Sequence, residues 1–474
     1  MSREQGTIAL DSRPSSCHFK DASDFTNSPL SRTPDPESPP NTSTATVNES
    51  ALYPADRGIH AWLFMVAAFF IEAIAWSFPF SYGVFLESYL DNPVYASQKN
   101  AASLLPLVGT ISSGIQYCSG PFLYPIIIRY PRMRLPAVWI GATLCAVSLF
   151  AASYTTQIVT LVALQGVLYA IGGALLYTPT ILFMSEWFIR LRGTASGIIF
   201  AGTSVGGLIL PLVFPPVIAK HGAPYTLRIF AISIACMLLP LLPFNKGRLP
   251  ITKVRGPAPR AKDRDFLKNW SFWIYMIVDL IQGFGYFMPI VWLPTFASDL
   301  SLSSLQSAIA LAALNGASVI GGLYMGYLSD RWNAWALALG SLFATALATF
   351  ILWGVLGSTF AGLIAFGIVY GIVAGGFSTL WTTFARTYAK EEPGLSSTLF
   401  GYISMCRGIG NVLSTPIATA LIGKSAQAMV GSTGFAVGDG RFGSMIIYSG
   451  TCFAGAAGLA VFGWRSDMWA LRRQ

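Results

Sequence analysis

Three ionisable side chains lie inside long apolar stretches of the sequence, and their surroundings limit what they can do. Glu72, Asp279 and Arg407 are each surrounded by hydrophobic and small residues. In the middle of a membrane helix such a charge costs about 2.5–3.5 kcal/mol on insertion scales, so it points to a cavity, an ion site or an internal ion pair. These three residues are therefore the first candidates for chemistry.

Glu72 shares one helical face with two aromatic residues. Trp76 and Phe80 follow it at successive intervals of four, the spacing at which side chains stack along one side of a helix. We interpret this face as a cavity wall, with Glu72 as a proton or cation site. The alternative is a carboxylate that is hydrogen-bonded to a neighbouring helix for packing alone.

Asp279 belongs to a second polar face. Gln282 and Tyr286 follow it at i+3 and i+7, which again predicts one side of a helix that contributes to a binding pathway. Asp279 stands only nine residues after the predicted start of its span at residue 270. A carboxylate that reaches the membrane surface or caps the helix end is an equally open interpretation.

Arg407 and Asn411 form an i, i+4 pair deep in a stretch that is otherwise made of Gly, Ser and Ile. A fixed positive charge at this depth would attract an anionic substrate through charge-assisted hydrogen bonds. The main alternative is a structural ion pair with Glu72 or Asp279.

Other kinds of chemistry find little support in the sequence. His18, His60 and His221 are too far apart for metal-ligand spacing, and no catalytic constellation is present. The glycines of residues 193–197 lack the lysine and the preceding strand of a phosphate loop, and they suit close helix packing in a membrane. We therefore predict no enzyme, no metal site and no cofactor.

The composition identifies the setting of these residues. The chain has 474 residues, of which 53% are hydrophobic and only 11% are charged, whereas a soluble domain has about 25% charged residues. The net charge of +9 could suggest nucleic acid, but the basic residues flank apolar segments, as they do in proteins embedded in a lipid bilayer. We predict an all-α polytopic membrane protein that does not bind nucleic acid.

Apolar segments long enough to span a bilayer recur in two sets of six. The first set lies near 62–86, 103–128, 135–153, 157–184, 194–219 and 225–243, and the second near 270–296, 307–329, 335–357, 361–386, 398–422 and 443–464. Two matched halves of this kind are typical of secondary transporters, whose sites lie between the repeats near the bilayer midplane.

Five regions follow from this pattern. They are a disordered tail (1–58), a six-helix bundle (59–243), a basic linker (244–269), a second six-helix bundle (270–464) and a short C-terminal tail (465–474). Most of the 30 basic residues fall in the two tails, the linker and the connections on the same side. Since basic residues favour the cytoplasmic side, we predict that both termini are cytoplasmic.

Residues 326–333, Gly-Tyr-Leu-Ser-Asp-Arg-Trp-Asn, resemble the loop motif of the major facilitator superfamily. The resemblance implies a gating motif in which Asp330 caps or charge-pairs at a helix end, beside Arg331, while Gly326 permits close helix contact. The equivalent stretch after the second span, residues 120–132, is degenerate and lacks the Asp.

Within that superfamily, the chain resembles monocarboxylate-transporter-like proteins, especially fungal ones. The stretches that carry this resemblance are 56–62 (Asp-Arg-Gly-Ile-His-Ala-Trp), 78–85 (Phe-Pro-Phe-Ser-Tyr-Gly-Val-Phe), 186–193 and 201–206. The family resemblance implies twelve transmembrane helices in two pseudo-symmetric bundles, the major facilitator fold.

Two departures separate the chain from the animal proton-lactate carriers, and a third separates it from fungal relatives. Those carriers have a lysine at the position that matches Phe80, and an Asp and Arg pair in the eighth helix, whereas residues 307–329 here contain no charge. Fungal relatives often have Gly-Arg where this chain has Gly321 and Gly322. A charged transport cycle would therefore have to use Glu72, Asp279 and Arg407.

We predict a secondary transporter that moves a small organic anion, a monocarboxylate or carboxylate-bearing metabolite, by alternating access. Arg407 would bind the anion, supported by Trp76, Phe80 and Tyr286, and proton coupling through Glu72 is a separate hypothesis. One alternative is a proton-driven exporter of a larger, mainly apolar metabolite. Another is a membrane sensor or scaffold that transports nothing. The expected location is the plasma membrane, and the expected functional unit is a monomer.

Overall fold

The computed structural model describes residues 52–249, 265–390, 392–422 and 433–471. Most of the predicted N-terminal tail, the middle of the predicted linker and the last three residues lie outside these ranges. The described chain is helical from end to end, with short turns between its helices.

Ten helices within the described ranges are long and apolar enough to cross a membrane. In chain order they are α1 (Ile59–Asp91), α3 (Arg134–Ala152), α4 (Ile158–Trp187), α5 (Arg192–His221), α6 (Ala223–Leu241), α7 (Trp270–Asp299), α8 (Ser304–Ser329), α9 (Ala334–Val355), α10 (Phe360–Tyr388) and α12 (Gly443–Leu471). Two further segments complete the predicted twelve, namely α2, formed by Leu107–Cys118 and Gly120–Arg129, and α11 (Pro393–Leu421). The described chain therefore has the predicted all-α, six-plus-six architecture.

The second segment differs from the single span predicted at 103–128. It begins only after Pro106 and is interrupted at Ser119, between its two parts. Pro121 explains the interruption, because its nitrogen cannot donate to the carbonyl group of Tyr117 four residues earlier. The last helix also runs further than the predicted span and ends at Leu471 rather than near residue 464.

Each half is held together by helices whose backbones nearly touch. In the first half α1 packs on α5 and α3 packs on α4, and in the second half α8 packs on α10. Glycines stand at these crossings: Gly202 faces the backbone of Phe69, and Gly141 faces the carbonyl group of Gly172. Lipid is as apolar as the helices, so this close packing replaces the hydrophobic effect as the source of helix association.

The two halves meet along two seams, α5 against α8 and α2 against α11. In the first seam Gly193 and Gly197 of α5 lie against Gly322 and Gly326 of α8, so a glycine repeat of spacing four on one helix faces the same repeat on the other. In the second seam the backbones of Gly120 and Gly401 meet. Both seams bring main chain directly against main chain.

A side chain added at Gly141 should destabilise the fold. In an exposed helix a Gly→Ala change gains about 1 kcal/mol of helix propensity, but here the new Cβ would lie 2.6 Å from the carbonyl oxygen of Gly172. Overpacking of this kind costs on the order of 1–3 kcal/mol. We expect Gly141→Ala to lower the melting temperature of the detergent-solubilised protein.

Gly340→Ala in α9 is the matched control, because a Cβ there meets no atom within 4 Å. It should leave the melting temperature unchanged or raise it slightly. Equal melting temperatures for the two variants would contradict the packing argument.

Candidate functional site

A cavity of about 90 Å³ lies between the two halves. Helices α1, α2, α4 and α5 line it from one half, and α7, α8, α10 and α11 line it from the other. Five of the residues predicted from the sequence are on its wall: Glu72, Trp76, Phe80, Tyr286 and Arg407. In the described conformation a space of this size has room for a few water molecules.

Arg407 is the cation of this cavity. Its side chain is almost completely buried, and the guanidinium carbon lies 3.8 Å from the centre of the Tyr286 ring and 5.1 Å from that of Phe287. Its Nε and Nη1 atoms have no hydrogen-bond partner in the described part of the chain. Contact with aromatic faces compensates only part of the cost of burying a charge. Part of the guanidinium group therefore lies at the cavity wall without a hydrogen-bond partner among the described residues.

Glu72 faces the same cavity from the other half. The hydroxyl group of Thr203 on α5 donates a hydrogen bond of 2.9 Å to its Oε1 atom. Its Oε2 atom is buried and has no partner among the described residues. One oxygen of the carboxyl group is thus bonded to a neighbouring helix, and Glu72 also lies on the cavity wall.

Aromatic rings form most of the remaining surface around Arg407. Trp76 lies 4.2 Å from Tyr117 and 6.0 Å from Phe80, measured between ring centres. Phe80 in turn stacks 6.1 Å from Phe287 of the opposite half. The lysine of the animal lactate carriers is thus replaced by a ring that takes part in an apolar contact between the halves. The cavity thus offers one cation, one carboxyl group, several aromatic faces and the polar side chains of Thr203, Ser204, Asn315 and Ser378.

The other three predicted residues do not line the cavity. Asp279 is fully buried, and its Oδ1 atom accepts a hydrogen bond of 2.8 Å from Nε1 of Trp381. It therefore does not reach the membrane surface. The buried amide of Gln282 has no partner among the residues described. Asn411 donates a hydrogen bond of 2.8 Å to the hydroxyl group of Ser113, which joins α11 to α2 across the second seam.

Trp381 is a cavity residue that the sequence reasoning missed. It lies in the part of α10 that follows a 3-10 turn at Gly376–Thr379, so regular helical spacing does not place it. Its ring lies 6.2 Å from Phe200 and 5.9 Å from Phe400. These three rings form an aromatic floor, which we define by Phe200, Trp381 and Phe400, at the end of the cavity nearest the start of α5.

Beyond this floor, Asp330 closes the first seam. Its carboxylate accepts hydrogen bonds of 2.6 Å from the backbone N–H of Gly193, and of 2.7 Å from both the backbone N–H and the hydroxyl group of Thr194. These donors belong to the first turn of α5, where N–H groups lack helical partners and the helix dipole favours a negative charge. Asp330 at the end of α8 thus caps a helix of the other half.

The two other residues of the predicted gating motif act differently. Gly326 allows the close approach, because a Cβ there would lie 2.5 Å from the carbonyl oxygen of Gly193. Arg331 stays with its own helix, with its guanidinium carbon 3.6 Å from the centre of the Tyr327 ring. The contact across the seam therefore depends on Asp330 and on the glycines.

A second carboxylate holds the same connection from the first half. Asp56 precedes α1 in the left-handed backbone region, with φ 59°, and its carboxylate accepts hydrogen bonds from the backbone N–H groups of residues 189, 190 and 191. Its own N–H donates to the carbonyl group of Trp187 over 2.9 Å. Residues 187–194, with Asp56 and Asp330 bound to them, are called the latch below.

Removal of the Asp330 carboxylate should loosen the latch. The lost helix cap is worth about 0.5–2 kcal/mol, which corresponds to a severalfold larger population open at this end. We expect Asp330→Ala to increase, by a similar factor, the maleimide labelling rate of a cysteine placed at Ser196, in a background without native cysteines. Ser196 is buried beside Thr382 of the other half, 3.0 Å between hydroxyl oxygens.

Arg331→Ala in the same background is the control, since Arg331 contacts its own helix. Its labelling rate should match that of the parent. If Asp330→Ala labels no faster than Arg331→Ala, the latch does not hold this end closed.

Comparison with known proteins identifies a family and solved structures that share this arrangement of helices. The family model of the Major Facilitator Superfamily matches residues 61–415. Solved structures of similar fold include the human organic anion transporter MFSD10, with a TM-score of 0.59 and 17% identity, covering 86% of this chain and 100% of that one. Another is FucP in its outward conformation, with a TM-score of 0.58 and 15% identity, covering 85% and 98%.

Curated relatives come mainly from fungi. The MFS-type transporter pytF of Aspergillus terreus is 28% identical over 59% of this chain and 92% of its own length. The fujikurins efflux protein of Gibberella fujikuroi is 30% identical over 63% of each chain. Monocarboxylate transporter 10 of Rattus norvegicus is 27% identical over 60% of this chain and 58% of its own. The match of the family model over most of the chain, the twelve helical segments and the cavity between two halves lead to one conclusion: the chain belongs to the major facilitator superfamily and is a membrane transporter, not an enzyme.

Proposed function

We propose that the protein transports an organic anion, a carboxylate with an apolar or aromatic body, through the cavity between its halves. The observation that carries this proposal is Arg407, a buried cation whose Nε and Nη1 atoms have no partner among the described residues. A carboxylate presents two oxygens to a guanidinium group and can form two parallel hydrogen bonds with it.

The lining of the cavity, not its volume, favours an anion with an apolar or aromatic body. Seven aromatic side chains stand on the cavity wall. The rings of Tyr286 and Trp381 lie beside the cation, and with those of Trp76 and Tyr117 on the same wall they would contact the body of the substrate. An anion with a flat apolar portion would contact both the Arg407 cation and these aromatic rings.

Transport would proceed by alternating access. The latch and the aromatic floor close one end, and reopening them requires α5 to separate from α8. The predicted orientation places the latch on the cytoplasmic side, and with it both termini, in a protein that we propose acts as a monomer in the plasma membrane. The closed latch then corresponds to a carrier that is shut toward the cytoplasm.

A second candidate is export of a larger, mainly apolar metabolite driven by protons. The aromatic lining supports it, as does similarity to the fujikurins efflux protein of Gibberella fujikuroi. The two candidates differ in the role of Arg407, which is the main contact for an anion and a minor contact for an uncharged substrate.

Substitution of Arg407 separates these candidates. Hydrogen bonds to a charged group contribute about 1.5–3 kcal/mol each, so Arg407→Ala should reduce transport of labelled anions by tenfold or more. The assay is uptake of labelled lactate, phenyllactate and hippurate into proteoliposomes that contain the full-length protein, with protein-free liposomes as background.

Arg228→Ala provides the matched control. Arg228 also lies in a membrane helix and over an aromatic ring, 4.0 Å from the centre of Tyr154, but away from the cavity. It should retain most of the transport rate. Anion uptake that is unchanged in Arg407→Ala would remove this residue from the substrate site.

Proton coupling through Glu72 is tested separately. If the free oxygen of Glu72 takes up a proton during the cycle, an imposed pH gradient should accelerate transport by the parent protein. Glu72→Gln keeps an acceptor for the hydroxyl group of Thr203 but carries no charge, so its rate should not respond to the gradient. The measurement is initial uptake with and without the gradient, and a response that persists in Glu72→Gln would exclude this role.

A further inference from the structure

We propose that Asp279 is the internal counter-ion of Arg407 when the cavity carries no substrate, and that it exchanges this role for a hydrogen bond to Trp381 when an anion is bound. This inference rests on the proposed function, since it assigns Arg407 to the transported anion. It adds a residue outside the cavity wall and a link between occupancy and the aromatic floor.

The indole ring of Trp381 lies between the two charged groups. Asp279 accepts the hydrogen bond from its Nε1 atom over 2.8 Å, and the guanidinium carbon of Arg407 lies 5.8 Å from the centre of the same indole. The Oδ2 atom of Asp279 is buried without a partner in the described ranges. A carboxylate with an unused oxygen thus stands one ring away from a cation with unused donors.

The helices that carry these two residues touch at this level. Gly283 lies one turn beyond Asp279 on α7, and a Cβ at Gly283 would be 3.3 Å from the carbonyl oxygen of Arg407. Gly410 of α11 meets the backbone of Gly283 from the other side of the contact. Because the backbones are already adjacent, rotation of the long arginine side chain is enough to bring the charges together.

Asp279 suits this role better than Glu72 for a mechanical reason. Asp279 on α7 and Arg407 on α11 belong to the same half, so they stay together when the halves move. Glu72 belongs to α1 of the other half and is bonded there to Thr203. A counter-ion that must accompany Arg407 through the return of the empty carrier has to belong to the half that carries Arg407.

The change of partner at Asp279, between Trp381 and Arg407, couples binding of the substrate to the aromatic floor. With an anion on Arg407, Asp279 accepts from Trp381 and holds its indole against Phe200 and Phe400. Without the anion, Arg407 takes the carboxylate and Trp381 loses this bond. The loaded and the empty carrier then both cross the midpoint of the cycle without an uncompensated buried cation, which would be costly.

The test compares two modes of transport by Asp279→Asn in proteoliposomes. Asparagine keeps an oxygen that can accept from Trp381 but cannot neutralise Arg407. With labelled hippurate as the probe, exchange between loaded states should stay within about twofold of the parent. Net efflux into hippurate-free buffer, which requires the empty carrier to return, should fall at least tenfold.

Asp299→Asn is the control, because Asp299 is a carboxylate of the same helix that pairs with Arg441 at the end of α7, away from the cavity. It should not slow net efflux more than exchange, or exchange more than net efflux. Equal slowing of exchange and net efflux in Asp279→Asn would reduce Asp279 to a structural role, and unchanged rates in both modes would also overturn the proposal.

A measurement without substrate separates this inference from the proposed function. Asp279→Asn and Arg407→Gln should each lower the melting temperature of the purified protein, and the double variant should recover part of the loss because no unpaired charge remains. For Glu72→Gln combined with Arg407→Gln, the changes in melting temperature of the two single variants should simply add. The parent protein could fail to carry hippurate while the melting temperatures of Asp279→Asn, Arg407→Gln and their double variant are not additive. The choice of anion would then be wrong, but the ion pair between Asp279 and Arg407 would stand. Additive changes in melting temperature for both pairs of substitutions would overturn the ion pair.

Discussion

The burial of a cation between two membrane-spanning halves is the constraint from which the site follows. Arg407 is nearly inaccessible, and in the described chain it forms no salt bridge with Glu72 or Asp279. Aromatic faces are the surfaces that tolerate such a charge without neutralising it, and three of them surround the guanidinium group. In the described arrangement the guanidinium group therefore keeps hydrogen-bond donors that no described residue uses.

The closed end uses a different kind of contact. Two carboxylates, Asp56 and Asp330, bind successive backbone N–H groups of the same connection, and only Asp330 comes from the opposite half. When such bonds open, water can take the place of either partner, so the polar groups remain satisfied. The aromatic floor has no such substitute and gains from exclusion of water. A seam of this composition holds firmly in one state and opens without leaving buried polar groups unpaired.

Five of the eight residues predicted from helical spacing lie on the cavity wall, but the spacing did not give the depth of each residue along its helix. Glu72, Trp76, Phe80, Tyr286 and Arg407 line the cavity, as their shared faces suggested. Asp279 lies on the face of Tyr286 but two turns away, behind the indole of Trp381, and depth of this kind depends on neighbouring helices. Helical periodicity also could not predict contacts between residues that are far apart in the sequence. Asp56, for example, binds backbone 133 to 135 residues further along the chain.

The eighth helix is uncharged, and the cation of the cavity is on α11 instead. A Cβ at Gly321 would overlap the backbone of Ile372, and a Cβ at Gly322 would lie 3.6 Å from the carbonyl oxygen of Gly197. The distance at Gly322 is an ordinary van der Waals contact, whereas Gly321 has no room for a side chain. The backbone bonds of Asp330 need that seam to be tight, since its carboxylate reaches only the first turn of α5. The glycines of this seam thus serve the close contact that the Asp330 bonds need, and Arg407 supplies the positive charge of the cavity from α11.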